Sequence, residues 1–328
     1  MSATKPFLVS RGLPPAGSAL SGAVVAIGNF DGVHRGHRAV IDAARALGAT
    51  LKAPAVVLTF DPHPRVFFRP DVPMFRLTDG NTELQVLAAT GLDGAIVLTF
   101  DKAFASLTAE EFVRDILVKH LAIHGAVVGY DFHFGKGRGG SPDFLIAQGK
   151  EHGFAVEVVA QQRAGGQTFS STEIRTALSD GRIADANAML GYTWFVSGVV
   201  QHGEKRGRDL GFPTANLKLD PACGLRHGIY AVRVTIDGKT HDGVASFGRR
   251  PTFDNGAPLL ETYIFDFSGD LYGKTIDVAF AGWIRPELKF NGLDPLIVQM
   301  KDDVAKARAI LVKDDAKSRP AARSIQQI

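Results

Sequence analysis

The sequence predicts an α/β half built on a parallel sheet, followed by an antiparallel β-barrel half with a C-terminal helix. Three observations carry this reading. Between Ala23 and Val159 short apolar runs alternate with helical patterns, as in strands that return through crossover helices. Past Gly191 short β-rich runs separated by Gly, Pro, Asp and Asn take over, as in a barrel or sandwich. Near the end Leu293, Leu296, Ile297, Met300, Val304 and Leu311 recur at spacings close to three and four, one face of a helix.

In chain order, the first half reads as strand Ala23–Ile27, helix Ala39–Leu47, strand Ala55–Phe60, helix Glu83–Ala88 and strand Ala95–Leu98. Helix Glu110–His120, strand Ala126–Val128, helix Pro142–His152 and strand Ala155–Val159 follow, and one long helix, Glu173–Leu190, ends the half. The second half reads as strands Trp194–Val200, Gly228–Ile236, Gly243–Phe247, Leu260–Phe267 and Lys274–Phe280. Asp237-Gly238 and Ser268-Gly269-Asp270 are its turn signals,. Two domains are expected, residues 1–188 and 189–312, with a polar, unpatterned tail at 313–328 expected to be flexible,.

Composition bounds the function. The 328 residues are 45% hydrophobic and 22% charged, which excludes a disordered chain or a coiled coil,. The 37 Lys and Arg against 34 Asp and Glu leave a net charge of +3, too balanced to mark a nucleic-acid binder. No apolar run approaches the roughly 18 residues that span a bilayer, so no membrane association is expected. The N-terminus lacks a secretory pattern,. The single cysteine, Cys223, forms no internal disulfide, which fits a reducing compartment, the cytoplasm. Homo-oligomerisation is left open.

Strand Ala23–Ile27 runs into Gly28-Asn29-Phe30-Asp31-Gly32-Val33-His34-Arg35-Gly36-His37. Glycines let the chain turn sharply, and two histidines three apart at a helix start point the same way. Beside orphan backbone N–H groups they make a donor-rich pocket for phosphate. The zinc-protease arrangement, i and i+4 with an intervening Glu, is absent. Gly135–Gly140 matches G-x-G-x-x-G after a strand, which leaves a dinucleotide reading open with Glu157 as ribose acid; Lys136 and Arg138 inside it favour a nucleotide-gripping loop. Ser170 and Glu173 have capping-box spacing,, and Arg175 could clamp a phosphate at the same helix start. Asp61-Pro62-His63-Pro64 reads equally as a stiff turn or a ligand-side loop.

In the second half, Gly203 to Asn216 interleaves glycines with Lys205, Arg206 and Arg208. It is no Walker A loop, but it suits phosphates or, on the bland reading, an RNA-touching surface. Thr214 and Asn216 share one face of an extended segment, and their oxygens suit Mg²⁺. Glu261, in a largely apolar strand, is either a general base for a hydroxyl or a solvent-facing edge residue. The aromatics of Trp283–Phe290 could stack on a flat ring or simply pack,.

Taken together, Gly28–His37, Gly129–Gly135, Ser170–Arg175, Gly211–Asn216 with its Gly/Arg loop, Arg250–Phe253, Glu261 and Asp270–Gly273 resemble the bifunctional bacterial riboflavin kinase/FAD synthetase family. The first string alone resembles the nucleotidyltransferase H-x-G-H motif. The resemblance implies a nucleotidyltransferase-type domain and a riboflavin kinase-type barrel. The barrel would phosphorylate riboflavin with ATP, and the first domain would adenylylate FMN with a second ATP to give FAD and pyrophosphate. It implies that His34 and His37 contact ATP phosphates, with Gly28, Phe30, Asp31, Asp131, Ser171, Thr172 and Arg175 completing that site. It places Gly203, Arg208, Gly211, Pro213, Arg250 and Arg285 at the kinase ATP and flavin site, gives Mg²⁺ to Thr214 and Asn216, and makes Glu261 the base. Asp131 stands where some members carry Asn.

Overall fold

The computed structural model describes residues 5–164, 167–203, 211–249, 258–314 and 323–328. Contacts divide the chain into two compact units. One holds the chain up to Met74, Thr78–Ser170 and Pro320–Ile328 with the last strand; the other holds Phe75–Leu77 and Ser171–Arg319.

The first unit is built on β1 (Phe7–Arg11), β2 (Val24–Ile27), β3 (Ala55–Asp61), β4 (Gly94–Thr99), β5 (Gly125–Gly129) and β6 (Ala155–Val159). They lie parallel in the order β1-β4-β3-β2-β5-β6. Val24, Val25, Ala26 and Ile27 are all buried, as a strand covered on both faces must be. Helix α1 (Arg35–Leu51) lays Val40, Ile41, Ala44 and Gly48 against this sheet. The short helices α2 (Pro64–Phe68), α3 (Gly80–Ala88), α4 (Lys102–Ala105) and α5 (Ala109–Glu111) follow, and α5 continues as a π-wound stretch over Phe112–His120. Helix α6 (Pro142–His152) packs on β5 and β6. A small hairpin, β7 (Arg163–Ala164) and β8 (Gln167–Thr168), comes after β6. The strand order reverses at β2: β3 lies on one side and β5 on the other. In open α/β sheets a ligand crevice forms at such a point, beyond the carboxyl ends of the strands.

The second unit begins with α7 (Ser171–Ser179) and α8 (Ile183–Leu190). The single helix expected over Glu173–Leu190 is therefore two. Asp180-Gly181-Arg182 interrupts it, with Gly181 at φ 78°, a conformation that suits glycine and ends a helix. Six antiparallel strands follow: β9 (Phe195–Val199), β10 (Thr214–Lys218), β11 (Gly228–Ile236), β12 (Lys239–Arg249), β13 (Pro258–Ile264) and β14 (Thr275–Arg285). Their order is β10-β13-β12-β11-β14-β9. The Gln201 N–H donates to Asn216 O at 2.8 Å and nearly closes the sheet into a barrel. Asp237 and Gly238, at φ 47° and 79°, make the tight turn expected between β11 and β12,. Phe75 and Leu77 pack here too, the Trp194 indole donating to Leu77 O at 2.8 Å with its ring edge-on to Phe75.

Helix α9 (Leu293–Lys313) covers β11, β12 and β14. The chain ends in β15 (Ile325–Gln327), which pairs parallel with β1 of the first unit. That corrects the expectation of a flexible tail for these residues: backbone pairing with a bare strand edge needs no apolar pattern, and all three are exposed. Residues 315–322 lie outside the described residues. β1 and β10 are strands that the sequence reading did not draw.

Candidate active sites

The turn after β2 is wound tightly. Phe30, Gly32 and Val33 have φ of 45°, 82° and 38°, and Phe30 and Val33 are buried. A β-branched residue at positive φ is strained, so the surroundings must hold it. Asp31 is part of that hold. Its buried carboxylate accepts from the Thr78 N–H at 3.1 Å, and the Thr78 hydroxyl accepts from Gly32 N–H at 3.0 Å. Asp31 is thus turned inward as a fastening of the turn.

His34 caps α1: its Nδ1 accepts from the His37 N–H at 3.3 Å. That bond leaves the neutral ring's proton on Nε2, as a donor. The His34 and His37 rings stack at 3.7 Å and 17°, and Phe30 leans on His37 at 5.3 Å. The glycine between the histidines has a steric reason, since a Cβ on Gly36 would lie 3.0 Å from His34 Cε1. Burial, then the neighbouring His34 and His63, hold the His37 pKa well below the ordinary imidazole value. Among the described residues, His37 Nδ1 is buried without a hydrogen-bond partner. Two imidazoles at the start of a 17-residue helix with no acidic first-turn residue make a site for anionic oxygen.

The other predicted residues stand on later elements of the chain. Asp131 is exposed in the loop after β5. The Gly135–Gly140 loop does not open a helix in the dinucleotide manner: Lys136–Arg138 wind a short turn, Phe134 and Gly140 bridge each other, and α6 starts only at Pro142 behind its Ser141 cap. Ser171, Thr172 and Arg175 stand on α7 of the second unit, where Arg175 Nε donates to Phe75 O.

In the barrel, strand alternation sorts β13. Leu260, Thr262 and Ile264 are buried, while Glu261 and Tyr263 face the other side. That side borders a cavity of about 340 Å³ whose lining includes Phe212, Thr214, Ser246, Glu261, Tyr263 and Arg285, with Met300, Asp303 and Val304 from α9. Glu261 is opposite Asn216 on β10 and Ser246 on β12. Arg285 is held by Asp303 in a two-pronged ion pair, 2.8 and 2.6 Å, largely buried on both sides. Its guanidinium therefore braces α9 on β14 while bordering the cavity. Gly211 is exposed at φ 84° and Pro213 precedes β10. Lys205, Arg206, Arg208 and Arg250 lie outside the described residues.

The donor set at β10 suits Mg²⁺. Asn216 is buried, its amide N–H donating to Thr214 O at 3.3 Å, which leaves the amide oxygen available. A Cβ on Gly203 would lie 2.4 Å from Asn216 Nδ2, so only glycine fits against this side chain. Among the described residues no three His, Cys, Asp or Glu side chains cluster to cage a metal. One or two protein oxygens plus substrate phosphates is how Mg²⁺ is commonly bound.

Known proteins match both halves. The FAD synthetase family model matches residues 17–173 and the riboflavin kinase model residues 190–311. The bifunctional riboflavin kinase/FMN adenylyltransferase of Escherichia coli (strain K12) is 42% identical over 290 residues, 88% of this chain and 92% of that one. This chain belongs to the bifunctional riboflavin kinase/FMN adenylyltransferase family. A second member, from Listeria monocytogenes, is 39% identical over 296 residues, 88% of this chain and 93% of its own. A crystal structure named as a macrolide-efflux protein from Streptococcus pneumoniae superposes with a TM-score of 0.82 at 32% identity, covering 92% of this chain and 99% of that one. The efflux name is that protein's; among the described residues here no helix is long and apolar enough to cross a membrane. As a riboflavin kinase/FMN adenylyltransferase, the chain converts riboflavin and ATP to FMN, then FMN and ATP to FAD and pyrophosphate.

Sequence reasoning missed Thr78, Ser246 and Asp303. Thr78 meets Asp31 across 47 positions, and Ser246 and Asp303 reach the cavity through register and helix packing. No local pattern reports such contacts.

Proposed function

We propose a division of labour in which the His34/His37 turn carries adenylyl transfer and the face of β10, β13 and β12 carries phosphorylation. In the first reaction the attacking FMN phosphate is already an anion, so no base is required. Placement and charge stabilisation do the work. His34 and His37 donate to the ATP phosphate oxygens, and the N-terminus of α1 adds its N–H groups. A phosphate oxygen of FMN bonds to the α-phosphorus as pyrophosphate leaves.

In the second reaction a hydroxyl must lose its proton. Glu261 accepts it from the riboflavin 5′-hydroxyl, whose oxygen attacks the γ-phosphorus as ADP leaves. Mg²⁺, when bound, neutralises phosphate oxygens; the Thr214 hydroxyl and the Asn216 amide oxygen would hold it. The observation that carries this reading is that Glu261 and Thr214 border one cavity while Asn216 pairs with Glu261 across the strands.

We also place the protein in the cytoplasm. Burial pushes the Cys223 thiol up to about 11, which keeps the lone cysteine a thiol and poorly reactive.

A Mg²⁺ titration of Asn216→Ala tests the assignment, with FMN and FAD separated chromatographically. FMN formation from riboflavin should require more Mg²⁺ and be slower, while FAD formation from supplied FMN keeps the wild-type curve. An unchanged Mg²⁺ requirement for FMN formation would remove Asn216 from the metal site.

A further inference from the structure

One line of backbone pairing crosses the wall of the barrel cavity. Glu261 on β13 is opposite Ser246 on β12, Ser246 is opposite Ile229 on β11, and Ile229 is opposite Arg285 on β14. Directly opposed residues project to the same side of a sheet, and all four line the cavity. Strands lie roughly 4.8 Å apart, so the row spans about 14 Å of backbone from Glu261 to Arg285. In the other direction from Glu261 the row continues to Asn216, which is buried and does not line the cavity. A substrate that rests its reacting hydroxyl on Glu261 and runs along this row towards Arg285 passes Ser246 before it reaches Ile229.

Ser246 is the hydroxyl of that row. It is half-buried, and no hydrogen bond of its side chain is found among the described residues. The Cβ atoms of opposed residues lie about 4.5–5.5 Å apart, and a base must be within about 2.6–3.2 Å of the oxygen it deprotonates. A hydroxyl on the carbon next to the reacting one thus falls within reach of Ser246, while the apolar Ile229 borders the path beyond.

We propose that Ser246 is a specificity-determining residue of the kinase reaction: its hydroxyl hydrogen-bonds the polyol chain of riboflavin beside the reacting hydroxyl and sets which flavin side chains are phosphorylated. The proposal rests on the reading of Glu261 as the base.

The test compares two phosphate acceptors with the same ring system: riboflavin, and a flavin whose side chain is 5-hydroxypentyl, with the terminal hydroxyl alone. Wild-type protein should prefer riboflavin. Ser246→Ala should raise KM for riboflavin about three- to tenfold, the worth of one hydrogen bond, with kcat within about twofold, and should leave KM for the hydroxypentyl flavin unchanged. Ser246→Thr, which keeps the hydroxyl, should retain the preference for riboflavin. A structural loss would raise both KM values together, and that result overturns the proposal, as does an unchanged KM for riboflavin. Glu261→Gln separates the two readings. It should lower kcat for both acceptors, and wild-type kcat in this variant would overturn the base assignment, whatever Ser246→Ala does.

Discussion

In the parallel sheet His34 and His37, the groups proposed to meet phosphate, stand beyond a strand end on a turn with positive φ at Phe30 and Val33 that the Asp31–Thr78 fastening holds. In the barrel the groups proposed for the kinase reaction stand on strand faces, and register alone sets Asn216, Glu261 and Ser246 side by side. The first arrangement presents N–H groups and imidazoles, which stabilise charge on an anion that attacks unaided. The second presents a carboxylate, which a hydroxyl nucleophile needs. On the proposed division of labour, the proton inventory of each reaction, more than its use of ATP, separates the two arrangements.

The largest effect should come from Glu261→Gln, which should slow FMN formation by about 10²–10⁴-fold and leave FMN-to-FAD conversion at the wild-type rate. Next in size, His37→Ala should slow FAD formation by about 10²–10³-fold while FMN still accumulates from riboflavin. If either change in a folded protein stops both reactions, the two sites do not work separately. Asp303→Ala tests the scaffold of the barrel site. It leaves the Arg285 guanidinium buried and unpaired, and denaturant melts should show a loss of about 3–5 kcal/mol. Replacing both members by apolar residues should cost far less.

The smallest effect is on pH dependence. Above about pH 6.5 His37 is neutral folded and unfolded, and adds no slope. Below it the unfolded chain binds a proton that folded His37, with its lowered pKa, does not. Stability should therefore fall as pH drops from about 6.5 towards that lowered pKa, by up to about 1.4 kcal/mol per pH unit. His37→Gln should flatten this part of the curve; an unchanged slope would place the proton elsewhere.

Much of this was legible in the residues. The alternation of apolar runs and helical patterns located the parallel strands β2 to β6, because buried strands are written as unbroken Val, Ile and Ala. Gly28–His37 suggested a phosphate site because its residue types have few other joint uses, and the structure stacks its two histidines at the start of α1. Glu261 was ambiguous alone, since a carboxylate on a strand face reads as solvent-facing until the packing of α9 shows that the face borders a cavity. Asp31 was read with the nucleotide-facing groups, yet it is buried against Thr78. Its direction depends on the positive φ values around it, which residue type does not encode. β15 escaped notice because three exposed residues paired through their backbone leave no pattern.

That last strand has a practical consequence. Because β15 lies beside β1, the chain leaves its first unit, builds the whole barrel, and comes back. The kinase unit is, in connectivity, an insertion, and a fragment cut between the two enzymes leaves the β1 edge bare and open to intermolecular pairing. The C-terminal end of β15 is about three residues, roughly 10 Å, from the start of β1. A short linker could join the two ends in a circular permutant opened within a barrel turn, and such a permutant would keep that edge covered where a truncation cannot.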